Sequence, residues 1–106
     1  MEKMLIFVDD ERDCPKEFKK YFPLIKICRN YKEAIYTLEH ENGVRDLYIS
    51  LDHDLGSKKS GYDIAKYIVE KGISIDGFKC HSMNIVGKEN IENLLLHYGY
   101  KNQFDF

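Results

Sequence analysis

The sequence predicts one α/β domain on a parallel sheet, and three observations predict it. Apolar runs too short for helices recur along the chain: "MLIFV" (residues 4–8), "LIKIC" (24–28) and "LYISL" (47–51). Between them stand segments with apolar residues at helical spacing. No repeat, low-complexity stretch or linker interrupts the alternation, so residues 1–106 read as a single domain. Right-handed crossovers then put helices on both faces, a three-layer αβα sandwich with expected strand order 2-1-3-4-5.

The elements follow in order. Residues 4–8 form a strand buried on both faces. Pro15 opens a short helix through about Tyr21, which Pro23 closes. Residues 24–28 form the second strand, and Lys26 marks it as an edge. Asn30 caps the next helix with Glu33 as the partner of a capping box, and Gly43 ends it. The third strand is 47–51. Ser60 caps a helix carrying Ile64, Ala65, Ile68 and Val69, with Gly72 as its stop. "GFKCH" (77–81) is a shorter fourth strand. Ile91, Leu94, Leu95 and Tyr98 mark a helix that starts near Gly87 and ends at Gly99, and "NQFDF" (102–106) is expected as a fifth strand with no final helix after it.

Composition narrows the function classes. The chain is 43% hydrophobic and 32% charged, as in a folded globular domain, and its net charge of −2 argues against a general nucleic-acid surface. No apolar run approaches the ~20 residues of a membrane span, and the start "MEKMLIFVDD" lacks signal-peptide form. Cys14, Cys28 and Cys80 have no CxxC spacing and read as reduced thiols, so a cytoplasmic location is expected. No partner-binding helix follows Gly99, so the expectation is a monomer or weak dimer.

Chemistry collects at the carboxyl ends of the strands, where such sheets bind ligands. The first strand ends in Asp9 and Asp10, followed by Arg12. The third ends in Asp52, His53 and Asp54, and the fourth in His81, Ser82 and Asn84. Neighbouring strands lie about 4.8 Å apart, so these groups can meet. Two carboxylates about 5 Å apart repel by roughly 3 kcal/mol at an effective dielectric of 20. A proton, an internal cation such as Arg12, or a hard divalent metal relieves that repulsion. Oxygen-rich clusters suit Mg²⁺, Ca²⁺ or Mn²⁺, and His53 or His81 nearby also permits Mn²⁺ or Zn²⁺. Taken singly, Asp9, Asp10 and Asp54 also read as cap or turn acids.

"HSMNIVGKENI" (81–91) adds hydrogen-bonding side chains at Ser82 and Asn84, a close backbone approach at Gly87, a helix N-terminus, and Lys88 in its first turn. Together they describe a phosphate or carboxylate cradle. Lys88 also reads as a solvated side chain.

Two resemblances rest on these motifs. "VDD", an Asp at the tip of the third strand, "GYD" and a Ser after the fourth strand resemble the response-regulator receiver domain. That likeness implies Mg²⁺ on Asp9 and Asp10 and phosphoryl acceptance by Asp52. Against it, the Lys expected at the end of the fifth strand is missing, since Lys101 stands at that strand's start. "FVDDERDCP", "SLDHDLG", "SGYDIAKYI" and "HSMNIVGKENI" more closely resemble the cyclic-phosphate processing receiver-like family, over nearly the whole chain. This resemblance implies a flavodoxin-like, receiver-like fold that left phosphorelay for cyclic phosphate ends or cyclic nucleotides. The site it implies is Asp9, Asp10, Arg12, Asp52, His53, Asp54, His81, Ser82 and Asn84, with Asn90 as a further contributor.

The expected function is a phosphoesterase that opens a cyclic phosphate on a small ligand or a nucleic-acid end. Asp9, Asp10 and Asp52 are the expected metal ligands, with Mg²⁺ or Mn²⁺ as cofactor. Asp52, His53, Asp54 and His81 are the expected catalytic groups, with His81 as general acid or base. Arg12, Ser82, Asn84, Gly87, Lys88 and Asn90 are expected on the phosphoryl group. An extended tip puts Asp52 and Asp54 on one face and His53 on the other. The rivals are a metal-free histidine pair, a binding module for cyclic nucleotides or Mg²⁺, and a degenerate phosphorelay receiver using Asp52.

Overall fold

The structure, a computed structural model, describes residues 1–104. Four parallel strands, β1 (Lys3–Val8), β2 (Leu24–Cys28), β3 (Asp46–Leu51) and β4 (Gly77–Cys80), form one sheet in the order β2-β1-β3-β4. A 3-10 helix (Lys16–Lys20) follows β1. The helices α1 (Tyr31–Glu41), α2 (Gly61–Lys71) and α3 (Ile85–His97) follow β2, β3 and β4. This is the expected α/β receiver-like architecture, and among the described residues no helix is long and apolar enough to cross a membrane.

The outer layers are unequal. Ile6, Val8, Ile49, Leu51, Phe78 and Cys80 turn toward the three helices, where Ala34, Leu38, Ile64, Ile68, Ile91 and Leu95 complete the main core. The opposite face carries Leu5 and Tyr48, covered by Phe22, Phe18 and Phe104. A short 3-10 helix and a few aromatic rings thus do on one side what three α-helices do on the other. Alternating side-chain direction along each strand creates the two faces.

Local chemistry accounts for the element ends. The Asn30 side chain accepts the Glu33 N–H at 2.9 Å, while the Glu33 carboxylate accepts from the Arg29 backbone N–H (2.9 Å) and from the Asn30 side-chain amide (3.3 Å). Ser60 and Asp63 form a full capping box. Gly72 ends α2 in the left-handed region at φ 61°. α3 starts two residues before the expected position: Asn84 is its cap and accepts the Gly87 N–H at 2.9 Å.

The expected fifth strand is not formed by residues 102–104, and Asp105 and Phe106 lie outside the described residues. The last regular element described is therefore α3. The segment after it still shields the β4 edge, since Phe78 N–H donates to the Lys101 carbonyl at 2.9 Å. Residues 102–104 do not extend this bond into a ladder. The Gln103 carbonyl lies where a Cβ on Gly77 would be, and Phe104 turns into the aromatic cluster against Phe22 and Tyr48.

Candidate functional site

The sheet's ladder continues one residue past its strands. Asp9 N–H donates to the Cys28 carbonyl (3.1 Å), Asp52 N–H to Val8 (3.0 Å) and His81 N–H to Leu51 (2.9 Å). Three parallel strands thus end level with one another, and their next residues stand side by side. One donor atom from each of Asp9, Asp52 and His81 lies within 4.8 Å of the other two.

Asp9 is the most enclosed of the three, at 1% exposure. Its Oδ1 accepts the backbone N–H groups of Glu11 (2.9 Å) and Arg12 (2.7 Å), and its Oδ2 faces His81 Nε2 at 3.1 Å. Burial pushes the carboxyl up, but the Arg12 and Glu11 N–H groups and the His81 ring outweigh it, and Asp9 is held below its ordinary value. Arg29 braces the loop beyond Asp9 by donating to the carbonyls of Asp9 (3.2 Å) and Arg12 (2.6 Å) and pairing with Asp13.

His81 is fixed on three sides. Its ring stacks on Phe7, with centroids 4.5 Å apart and planes 4° from parallel. Nε2 meets Asp9, and Nδ1 lies 2.7 Å from Ser50 Oγ. Burial pulls its pKa below the ordinary 6.5 despite the opposing pull of Asp9 and Asp52, which favours the neutral ring. The network assigns its tautomer: Nε2–H donates to the ionised Asp9, and Nδ1 accepts from the Ser50 hydroxyl.

The chain bends at His53, which turns away from the cleft toward α3. Its Nδ1 is 2.9 Å from Asp54 Oδ1 and 3.4 Å from Asn84 Nδ2. Its ring lies against the first turn of α3, where a Cβ on Gly87 would overlap it. Gly87 thus admits His53, which the sequence reading had not foreseen. Gly61 plays the same part behind the tip: a Cβ there would overlap the Asp52 carbonyl. The His53 hydrogen bond, aided by Asn84, holds Asp54 below its ordinary pKa against the opposing effect of desolvation.

A cleft of about 310 Å³ opens over this edge, lined by Asp9, Asp10, Glu11, Arg12, Asp52, Asp54, Gly56, Ser82 and Met83. Six of the expected residues line it together: Asp9, Asp10, Arg12, Asp52, Asp54 and Ser82. Asp10 does so without joining the converging donor atoms, where His81 stands instead. Asn84 lies behind the wall with its oxygen committed to the α3 cap. Lys88 and Asn90 sit further along α3, Lys88 half-buried and Asn90 exposed.

A family model described as the cyclic-phosphate processing receiver domain matches residues 4–97. The chain belongs to that family. The matched span includes every strand's carboxyl end and all three helices, so the cleft of this receiver domain lies wholly within it. No curated protein and no solved structure matches the chain.

Ser50, Phe7 and Arg29 are the contributors that sequence reading passed over. Ser50 had a signal: it is the one small polar residue in the run "LYISL", two residues before Asp52. Arg29 follows the second strand directly, beside the Asp9 loop.

Proposed function

We propose that this receiver domain opens cyclic phosphate esters, such as a 2′,3′-cyclic phosphate, to the monoester by adding water. The observation that carries the reading is the convergence of Asp9, Asp52 and His81 on an acidic cleft in a member of a family described as processing cyclic phosphates.

Charge supports a cation at this edge. Five acids and one arginine line the cleft, an arrangement that repels a phosphate ester. The donor set, two carboxylates and an imidazole, fits Mn²⁺ well and Mg²⁺ through its oxygens. Asp9 and Asp52 would hold the ion, which when bound supplies charge neutralisation and polarises a phosphoryl oxygen. Arg12 and the Ser82 hydroxyl are assigned to the remaining phosphoryl oxygens. His81 serves through Nε2, as a third donor to the cation or as the acceptor of a proton from water. Either use requires Nε2 to give up its bond to Asp9.

A second reading is favoured by one contact. The Asp54–His53 hydrogen bond orients an imidazole by a carboxylate and would support acid–base work without metal.

Incubation with 2′,3′-cyclic nucleotides, with Mg²⁺ or Mn²⁺ and then with chelator, tests both readings by release of monophosphate. Metal-dependent turnover is expected. Turnover undiminished by chelator favours the histidine reading, and binding without turnover leaves only a ligand-binding module.

A further inference from the structure

We propose that Ser50 is a positioning residue whose hydroxyl reverses its hydrogen bond when His81 engages a cation, so that the imidazole exchanges tautomer without moving. This inference rests on the cation reading above, and it assigns a role to a residue outside the cleft.

Ser50 is 3% exposed and pairs in register with Phe7 on β1 and Lys79 on β4. It therefore lies under the floor of the site, too enclosed to act as a nucleophile toward a ligand. Among the described residues its hydroxyl pairs with His81 Nδ1, at 2.7 Å. Nε2 faces the Asp9 carboxylate at 3.1 Å, a pairing in which an ionised Asp9 requires Nε2 to carry the ring proton, and an imidazole nitrogen that carries a proton cannot bind a metal. Engagement at Nε2 requires the single ring proton to relocate to Nδ1.

Two features make that relocation inexpensive. Stacking on Phe7 at 4.5 Å keeps the ring plane fixed, so the change occurs by moving a proton rather than flipping the ring. A hydroxyl donates or accepts with equal ease by rotating about its C–O bond. Ser50 O–H donates to Nδ1 before engagement, and Ser50 Oγ accepts from Nδ1–H afterwards. Proton count is unchanged, and Nδ1 is never left buried without a partner. A carboxylate at position 50 would accept only, and an alanine would do neither. Metal-bound histidines generally need such a partner on their other nitrogen, and its loss typically weakens metal binding by about 10–100-fold.

The test uses the full chain with Zn²⁺ as a diamagnetic probe, reading ¹⁵N imidazole shifts together with binding by calorimetry. His81 is assigned by comparison with His81→Gln. The expected result is Nε2–H before zinc and Nδ1–H after it. Ser50→Ala is expected to bind zinc about 10–100-fold more weakly, and Ser50→Thr, which keeps the hydroxyl, to recover most of that loss. Zinc affinity unchanged in Ser50→Ala, or zinc bound with His81 still carrying Nε2–H, overturns the role of Ser50 while leaving the cation reading intact. Failure of the unaltered chain to bind zinc overturns both.

Discussion

Asp52 and His53 are neighbours in sequence, yet they leave β3 on opposite sides and enter different surroundings. Asp52 joins Asp9 and His81 at the open cleft, where carboxylates gather with little to neutralise them. His53 turns toward α3, where Asp54, Asn84 and the bare backbone of Gly87 receive it. The first group is electrostatically unfinished, and the second has its local charge satisfied. A charged cluster lacking its counter-charge is the one to expect at a ligand, and a satisfied one is the one to expect in support. Asp54 links them, since it lines the cleft while binding His53.

The largest effect should fall on the unfinished side. Asp52→Asn keeps the size of the side chain but removes a charge from the proposed cation site. Hydrolysis of a cyclic nucleotide is expected to fall by about 10²-fold or more, with the urea midpoint unchanged or raised. An unchanged rate would break the contrast between the two groups.

On the supporting side the effect should be structural. Gly87→Ala sets a methyl group against the His53 ring and is expected to cost about 1–3 kcal/mol in urea unfolding, partly offset by the better helix propensity of alanine. In a His53→Ala background the same change should be neutral or stabilising. A full penalty persisting there would show that the ring is not what Gly87 admits.

Acid lability sharpens the comparison next. With chelator present, the folded pKa of His81 lies below 6.5 and that of Asp9 below 3.8. Both are depressed, so both contribute stability that is present above the unfolded value and lost as pH falls toward the folded value. His81 makes its loss begin below about pH 6.5, and Asp9 makes its loss begin below about pH 4. Raising the pH from 7 to 9 should cost nothing through this pair. His81→Gln should remove the first acid step, and persistence of that step would assign it elsewhere.

The smallest effect is expected at the link. Asp54 is exposed, so its pairing with His53 is screened by water. Asp54→Asn should leave the unfolding midpoint where it was.

Much of this was legible in the sequence because local rules and tertiary structure agree. Asn30, Ser60 and Gly72 stop and start helices as their chemistry dictates, and the short apolar runs became the strands. The strand tips were readable because parallel strands that end level bring their next residues together. What escaped reading depended on contacts across the fold. Residues 102–104 form no strand, and their contacts are not local: Gln103 meets Gly77 and Phe104 packs on Phe22. Gly87 was read as facing a ligand because nothing in the sequence announces that His53, thirty-four positions earlier, lies against it. The short cover on the second face was hidden for the same reason, since aromatic residues at 18, 22 and 104 come together only in space.

The most direct measurement is the initial rate of 2′,3′-cyclic AMP hydrolysis as Mn²⁺ is titrated into the chelator-treated full chain, with Asp52→Asn alongside. A saturable rise to the monophosphate product, abolished by chelator and absent in the variant, is the predicted result. A rate that is full before any metal is added, or no hydrolysis of any cyclic phosphate at any metal concentration, would contradict a cation-assisted site at Asp9, Asp52 and His81.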